Sequence, residues 1–407
     1  MYLIFIVLGW LSIYAATYSE TEYELFDFTT KYGKQFIWIS LSFVIIIIIM
    51  AIDKKFYEQF SGIIYLISML SLIGLFLFGN NINGATSWYS FGSFGIQPSE
   101  FAKTATALAI ANYLNERNQD LKKINTQLKA FGIIFFPAIL ITLQPDPGSA
   151  LVYGSLILVL YRFGLPLYYL VIGALALILF IATLYFGYLL TLVFAFAFIT
   201  LFFMYLKYKN KKFIRHNWFR FLLIYIFSGL FIFSVDYVFN NVFEQRHRDR
   251  FNILLGKNVD TQGIGYNTAQ SVITIGSGGL NGKGFLQGDR TQGNFVPEQQ
   301  TDYIYSTIGE EWGFVGSSVL VILFTAFLLR ILFIADRQKS IFSKVFGYAT
   351  VAIFFFHFTI NIGMVIGILP TIGIPLPFFS YGGSSLWGFT ILLFILIRLD
   401  ADRIYEW

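Results

Sequence analysis

The sequence predicts an all-α polytopic membrane protein, and three observations carry that reading. Of 407 residues, 57% are hydrophobic and 48 are Phe. Only 13% are charged, against roughly 25% in soluble domains. The apolar residues fall in long uninterrupted runs, and mean hydropathy is +0.68. Twenty-eight basic and 23 acidic side chains are too few to cover a soluble surface of this size, so the main solvent is lipid. Cysteine is absent, which excludes disulfides, thiol nucleophiles and thiolate metal sites. The three histidines, His216, His247 and His357, are scattered, which argues against a histidine-rich metal site.

A spanning helix needs about 20 apolar residues. Clear runs occupy 1–17, 35–52, 60–78, 165–186, 188–206, 219–239, 313–334, 346–369 and 384–399. Weaker ones occupy 100–114, 130–143 and 148–161, the last two broken by Gln144-Pro145-Asp146-Pro147-Gly148, where Pro and Gly stop a helix. Together they predict about twelve transmembrane helices in one integral-membrane domain over 1–407. The first run lacks the basic n-region of a signal peptide and reads as a span. With a cytoplasmic N-terminus, inside segments hold most of the basic residues, including Lys122, Lys123, Lys207, Lys209, Lys211, Lys212, Arg215, Arg337, Lys339 and Lys344. That asymmetry places both termini in the cytoplasm. The net charge of +5 is therefore a topology signal, and nucleic acid is not an expected partner.

The outer loops are uneven. Segment 18–34 is acidic (Glu20, Glu22, Glu24, Asp27), 79–99 is rich in Gly, Ser and Asn, and 240–312 is long and aromatic. Such long connections are commonly functional. Four outer-face motifs carry candidate chemistry. In Gln97-Pro98-Ser99-Glu100-Phe101-Ala102-Lys103, Ser99 suits an N-cap and Glu100 suits the helix dipole. Glu100 and Lys103, three apart, share a face. They are either a local ion pair or a cavity-facing lysine held by its carboxylate. Asp146, between two prolines, reads as a turn residue or as a cap for the next helix. Arg246-His247-Arg248-Asp249-Arg250 sets three guanidinium groups outside against the charge bias. Solvated surface is the bland reading and phosphate recognition the sharper one. Asp302, in Pro297-Glu298-Gln299-Gln300-Thr301-Asp302-Tyr303, reads as an N-cap or as a general base.

Other features read as structure. The glycines around Gly276-Ser277-Gly278-Gly279 form either anion-binding nests or a surface loop. Gly282-Lys283 is not a nucleotide-binding P-loop, because Ser277 replaces the first glycine and Gly284 the final Ser/Thr. Asp236 lies at an interface, His357 and Asn361 suit an interhelical contact, and Tyr381-Gly382-Gly383-Ser384-Ser385 suits a turn. HExxH and GxSxG are absent, which removes common hydrolase explanations.

Taken in order, these motifs resemble the SEDS (shape, elongation, division and sporulation) family of peptidoglycan polymerases. The resemblance rests on Trp88, Gln97–Lys103, Gln144–Ser149, Arg250-Phe251, Gly265-Tyr266, Gln270-Ser271, Gly276–Gly284, Pro297–Gly316 and Pro375–Ser385. Gly282-Lys283-Gly284, Thr291-Gln292, the Pro375–Tyr381 ending and the short N-terminal tail are closer to the elongation member than to the division member. The family has ten spans, so the surplus is a helical hairpin near 165–206. The resemblance implies polymerisation of lipid II, a lipid-linked disaccharide-pentapeptide pyrophosphate, in the bacterial cytoplasmic membrane. It implies Asp302 as base, Glu100, Lys103 and Arg250 at the pyrophosphate, and Gln270 and Ser271 as further substrate-binding residues. It also implies a class B penicillin-binding protein, a transpeptidase, as partner. No ligand cage for a metal is visible, so a divalent cation (Mg²⁺ or Mn²⁺) would be shared with substrate. The rival classes are a lipid-linked flippase or transporter, which lacks support from any internal repeat, and a scaffold, which would not need the Asp302 and Arg250 constellation.

Overall fold

The computed structural model describes residues 1–18, 27–82, 84–92, 94–116, 119–209, 211–243, 245–256 and 264–403, without the side chains of 91, 211–217, 246, 247 and 264. The acidic Glu20, Glu22 and Glu24 lie outside the described residues, as do the side chains of Lys211, Lys212, Arg215, His216, Arg246 and His247. In chain order the helices are α1 (Tyr2–Thr17), α2 (Lys31–Ala51), α3 (Lys54–Phe78), α4 (Pro98–Asn115), α5 (Ile124–Thr142), α6 (Pro147–Leu151), α7 (Leu156–Arg162), α8 (Tyr168–Phe186), α9 (Tyr188–Lys209) and α10 (Lys211–Tyr237). They continue as α11 (Gln245–Leu254), α12 (Ile264–Ser277), α13 (Asp289–Gln292), α14 (Ile304–Asp336), α15 (Ile341–Val365) and α16 (Gly383–Asp402). Two compact units result, one of Met1–Pro166 with Asn267–Trp407 and one of Leu167–Tyr266.

Among the described residues, nine helices are long and apolar enough to cross a membrane: α2, α3, α5, α8, α9, α10, α14, α15 and α16. The other three expected spans are helical but depart from that pattern for local reasons. α1 has 16 residues, and α4 carries Glu100 and Lys103 in its first turns. Residues 147–162 form α6, a 3₁₀ turn (Val152–Ser155) and α7 in succession. Ser99 is not the N-cap of α4. Gln97 takes that place, because Pro98 supplies the helical φ at the first helical position. Asp146 does cap α6, accepting from Ser149 N at 3.1 Å.

One stretch is not helical. Segment 79–99 holds a three-stranded antiparallel sheet, β1 (Asn80–Ile82), β2 (Ala85–Phe91) and β3 (Phe94–Ile96). Asn83-Gly84 is a hairpin-turn signal, with Gly84 at φ 84°, and β2 is rich in Thr, Trp, Tyr and Phe, which suit a strand. Trp88 packs over Gly95, where a Cβ would meet its ring at 3.1 Å.

In the second unit the expected hairpin is α8 and α9, and it packs on α10. Thr200 and Tyr225 hydroxyls lie 2.8 Å apart, with Phe196 edge-on to Tyr225 and Phe203 to Phe221. Phe180 of α8 and Phe239 meet Phe251 of α11 at 5.6 and 6.2 Å. The remaining faces of α8 and α9 are exposed and apolar, as lipid-facing helices must be.

In the first unit, Arg337 binds Asp400 at one end of the bundle. Arg398 reaches Asp53 at 3.2 Å and also binds Asp402, and Lys54 reaches Ser340 at 3.0 Å. The opposite end holds the loops. Span 313–334 begins earlier than expected, at Ile304, and breaks at Gly313 (φ 64°, ψ −162°). The glycine-rich run satisfies the broken backbone. Lys283 N and Gly284 N donate to Glu310 O and Glu311 O at 3.0 and 2.9 Å, while Phe314 N and Val315 N donate to Gly279 O and Leu280 O at 2.9 and 3.1 Å. Gly282 sits at φ 79°, where a Cβ would lie 2.1 Å from Glu311 O. These glycines therefore form a backbone interlock.

Gly279 is the matched control, with φ 58° and open space for 4 Å around the point a Cβ would occupy. Gly279→Ala costs roughly 1–2 kcal/mol of left-handed strain. Gly282→Ala adds a backbone clash and lowers the melting temperature in detergent further; equal losses would contradict the interlock.

Candidate functional site

At the end bearing the interlock, a segment from Thr371 to Leu376 that is neither helix nor strand runs between α15 and α16, with Ile374 and Leu376 each 1% exposed. Buried backbone outside helix and sheet must find other partners, and here side chains supply several of them. The Thr371 hydroxyl lies 2.9 Å from Thr268 and 3.0 Å from Tyr303 OH. Asn361 donates to Ile374 O at 2.7 Å, His357 to Pro375 O at 3.1 Å, and Leu376 N to Ser380 Oγ at 2.8 Å. Gly148 is packed so closely against the segment that a Cβ would come 2.6 Å from Ile372 O. Phe378 then adopts φ 66° and is buried against Tyr2, Phe354 and Phe389. Gly9 allows the close approach of α1 to Phe378 O.

Asp302 faces this segment. It precedes α14 but does not cap it: Tyr303 is the N-cap residue, and its side chain makes no capping bond. The Asp302 carboxylate is half-buried beside Gly373 (φ 79°), where a Cβ would lie 3.3 Å from Oδ2. Its backbone carbonyl accepts from Asn361 Nδ2 at 2.8 Å.

Glu100 and Lys103 approach from α4. Both are 3% exposed and form an ion pair of 2.8 Å. The Lys103 ammonium also meets His357 Nε2 at 3.0 Å and stands 5.1 Å over the Phe389 ring. The local ion pair of the sequence reading is therefore formed, and it is buried. Gly388 lets α16 pack directly on α4 at Glu100. Gln97 Nε2 reaches Asp146 Oδ2 at 3.1 Å, which joins the first two sequence motifs.

The remaining expected residues lie elsewhere. Ser271 is 0% exposed, and its hydroxyl donates to Val365 O at 2.8 Å, fastening α12 to α15. Gln270 accepts from Arg290, whose Nε reaches Thr274 at 3.1 Å and whose guanidinium lies 4.9 Å from the Phe295 ring. Arg250 lies on α11 in the second unit, half-buried, next to the packed Phe251. Among the described residues, no group of three or more His, Asp or Glu side chains is disposed to hold a metal ion.

Sequence reasoning passed over three participants. Arg290 was open to the argument applied to Arg250, as a cation in an outer loop against the charge bias. Glu310 is 0% exposed and accepts from Lys283 Nζ (2.7 Å), Thr291 N (2.7 Å), Thr291 Oγ1 (2.7 Å), Arg290 N (3.1 Å) and Ser277 Oγ (3.2 Å). Its hydrogen bond raises the pKa of the Lys283 ammonium. Gly373 carries no sequence signal beyond being a glycine.

Comparison with known proteins identifies the family and the fold. A model of the FtsW/RodA/SpoVE family, described as cell cycle proteins, matches residues 1–405. The peptidoglycan glycosyltransferase RodA of Treponema pallidum is 32% identical, over 98% of this chain and 95% of its own. The peptidoglycan glycosyltransferase MrdB of Escherichia coli K12 is 33% identical, over 86% of this chain and 80% of its own. For the fold, a chain from the structure described as "Structural coordination of polymerization and crosslinking by a peptidoglycan synthase complex" superposes with a TM-score of 0.72. It is 24% identical, over 100% of this chain and 97% of the other. The chain belongs to the FtsW/RodA/SpoVE (SEDS) family and is a RodA-like, multi-pass peptidoglycan glycosyltransferase.

Proposed function

We propose that this enzyme polymerises lipid II into glycan strands for cell-wall elongation and rod-shape maintenance, with Asp302 as general base. The observation that carries the reading is Asp302, half-buried, with its carboxylate against Gly373. In the proposed step the carboxylate takes the proton of the acceptor sugar hydroxyl. The hydroxyl oxygen attacks the donor's anomeric carbon, and the bond to the lipid pyrophosphate breaks with its electron pair leaving on phosphate oxygen. One base and an in-line leaving group suffice for inversion, so the carboxylate pair of glycoside hydrolases is not required.

The leaving pyrophosphate calls for positive charge. Lys103, oriented by Glu100 and held by His357, is assigned to the pyrophosphate. Arg250 is assigned to the pyrophosphate on the suitability of guanidinium for phosphate oxygens. Gln270, bonded to Arg290, and Ser271, bonded to α15, are the further substrate-binding candidates. A divalent cation, Mg²⁺ or Mn²⁺, would arrive chelated by substrate, since no protein cage is present among the described residues. The chain is assigned about twelve crossings of the bacterial cytoplasmic membrane, with both termini inside and the site outside. A class B penicillin-binding protein is the proposed partner, in keeping with the synthase complex that supplies the similar fold. The flippase reading is less well supported, because no internal repeat relates two halves of the sequence. Assignment to the division paralogue FtsW is the other alternative.

Purified protein, incubated with labelled lipid II and Mg²⁺ with and without its partner, should yield glycan ladders. Asp302→Asn should lower the rate on the order of 10²–10⁴-fold while keeping the wild-type melting temperature within a few degrees. Ladders at the full rate would sink the assignment, and translocation without polymer would mean a flippase. Lys103→Met strands a buried carboxylate and should cost about 3–5 kcal/mol of stability. Adding Glu100→Gln should recover most of that stability but not the activity; recovery of both would make the pair purely structural.

A further inference from the structure

One face of α15 carries two polar side chains four residues apart, His357 and Asn361, which are 1% and 0% exposed. Asn361 uses both amide protons, one on Asp302 O at 2.8 Å and one on Ile374 O at 2.7 Å. The reverse orientation would set its own oxygen against two carbonyls, so chemistry dictates the donor role. His357 makes a matching pair of contacts one turn earlier. Its Nδ1 donates to Pro375 O at 3.1 Å. Nε2 is then the bare nitrogen, and it accepts from the Lys103 ammonium at 3.0 Å. The ring is held edge-on to Phe389 at 4.8 Å.

Ile374 and Pro375 are consecutive, so the two side chains grip one segment. The residue before them, Gly373, borders the Asp302 carboxylate. We propose that His357 and Asn361 form a single positioning bracket that holds the Asp302 carboxylate in register with the Glu100–Lys103 pair. The proposal rests on the reading of Asp302 as base. A base must stay within hydrogen-bond reach of the proton it takes, and misplacement by about 1 Å can cost 10²-fold in rate. Asn361 acts on the backbone of Asp302 itself, and His357 acts on the cation. Neither side chain touches the reacting atoms.

A purely structural role would lower stability and leave turnover intact, which separates the two readings. Thr350 is the control. It lies on α15, is 0% exposed and donates to Phe346 O at 2.9 Å, about 10 Å along the helix from His357. The experiment measures kcat and KM for lipid II polymerisation, with melting temperatures, for Asn361→Leu, His357→Leu and Thr350→Val in the full chain with its partner. The bracket requires kcat to fall on the order of 10- to 100-fold in the first two, with KM within about threefold and Thr350→Val at the wild-type rate. His357→Gln, which restores an acceptor for Lys103, should regain part of the loss. If a leucine variant does not fold, Asn361→Ser and His357→Asn, each keeping one donor, should show the same kcat loss at smaller size. Wild-type kcat in the folded variants, or a loss matched by Thr350→Val, overturns the bracket. An active Asp302→Asn overturns the base reading and the bracket with it, whereas an inactive Asp302→Asn beside full-rate bracket variants overturns the bracket alone.

Discussion

Backbone that is neither helix nor sheet, buried among membrane helices, has no water to fall back on, and each of its peptide groups must find a protein partner. The segment from Thr371 to Leu376 poses that problem at Ile374 and Leu376, which are buried, while Gly373 stays exposed. The backbone contacts that meet it draw in Asn361 and His357 from α15 and Ser380 from the following turn, and the Thr371 hydroxyl adds a side-chain bond to Thr268 of α12. The close approach at Gly148 brings in the Pro-Asp-Pro turn, and the open side of Gly373 leaves room for Asp302.

The same constraint governs the break in α14. A helix interrupted at Gly313 releases carbonyls and N–H groups that would otherwise be orphaned. The glycine-rich run supplies them in register, Lys283 and Gly284 donating, Gly279 and Leu280 accepting. Glu310, just before the break, then gathers five donors from that loop and from α13. A buried carboxylate satisfied so fully anchors the loop, because any rearrangement would strand its charge.

Charge is scarce in this chain, and its placement separates two tasks. Around Arg337, Arg398 and Asp400, ion pairs tie helix ends together at partly exposed positions, where each pair contributes little by itself. Glu100 and Lys103 are paired in the interior, where a network must be complete to be tolerated. Enclosure by His357 and Phe389 keeps the ammonium fixed, so its field at the site does not depend on solvent.

Apolar run length and the distribution of Lys and Arg suffice to predict the helical membrane class. Ordered motifs point to the family and to Asp302, Glu100 and Lys103 as residues of interest. Runs of residues report composition and local propensity, which is why the hairpin of α8 and α9 is legible; the sheet at 80–96 shows only in the Asn83-Gly84 turn and the aromatic residues of β2, which a search for apolar runs passes over. The start of α14 lies upstream of its apolar run because hydropathy cannot see a helix whose first turns are polar. Ser99 is not a cap because Pro98 moves the boundary back to Gln97. Which partners the buried polar groups take is decided only in the tertiary structure. His357 and Asn361 read as a generic interhelical contact until Asp302, Ile374 and Pro375, distant in sequence, meet them in space. Hydrogen bonds that satisfy buried backbone depend on what folding brings within about 3 Å, a quantity that no local pattern encodes.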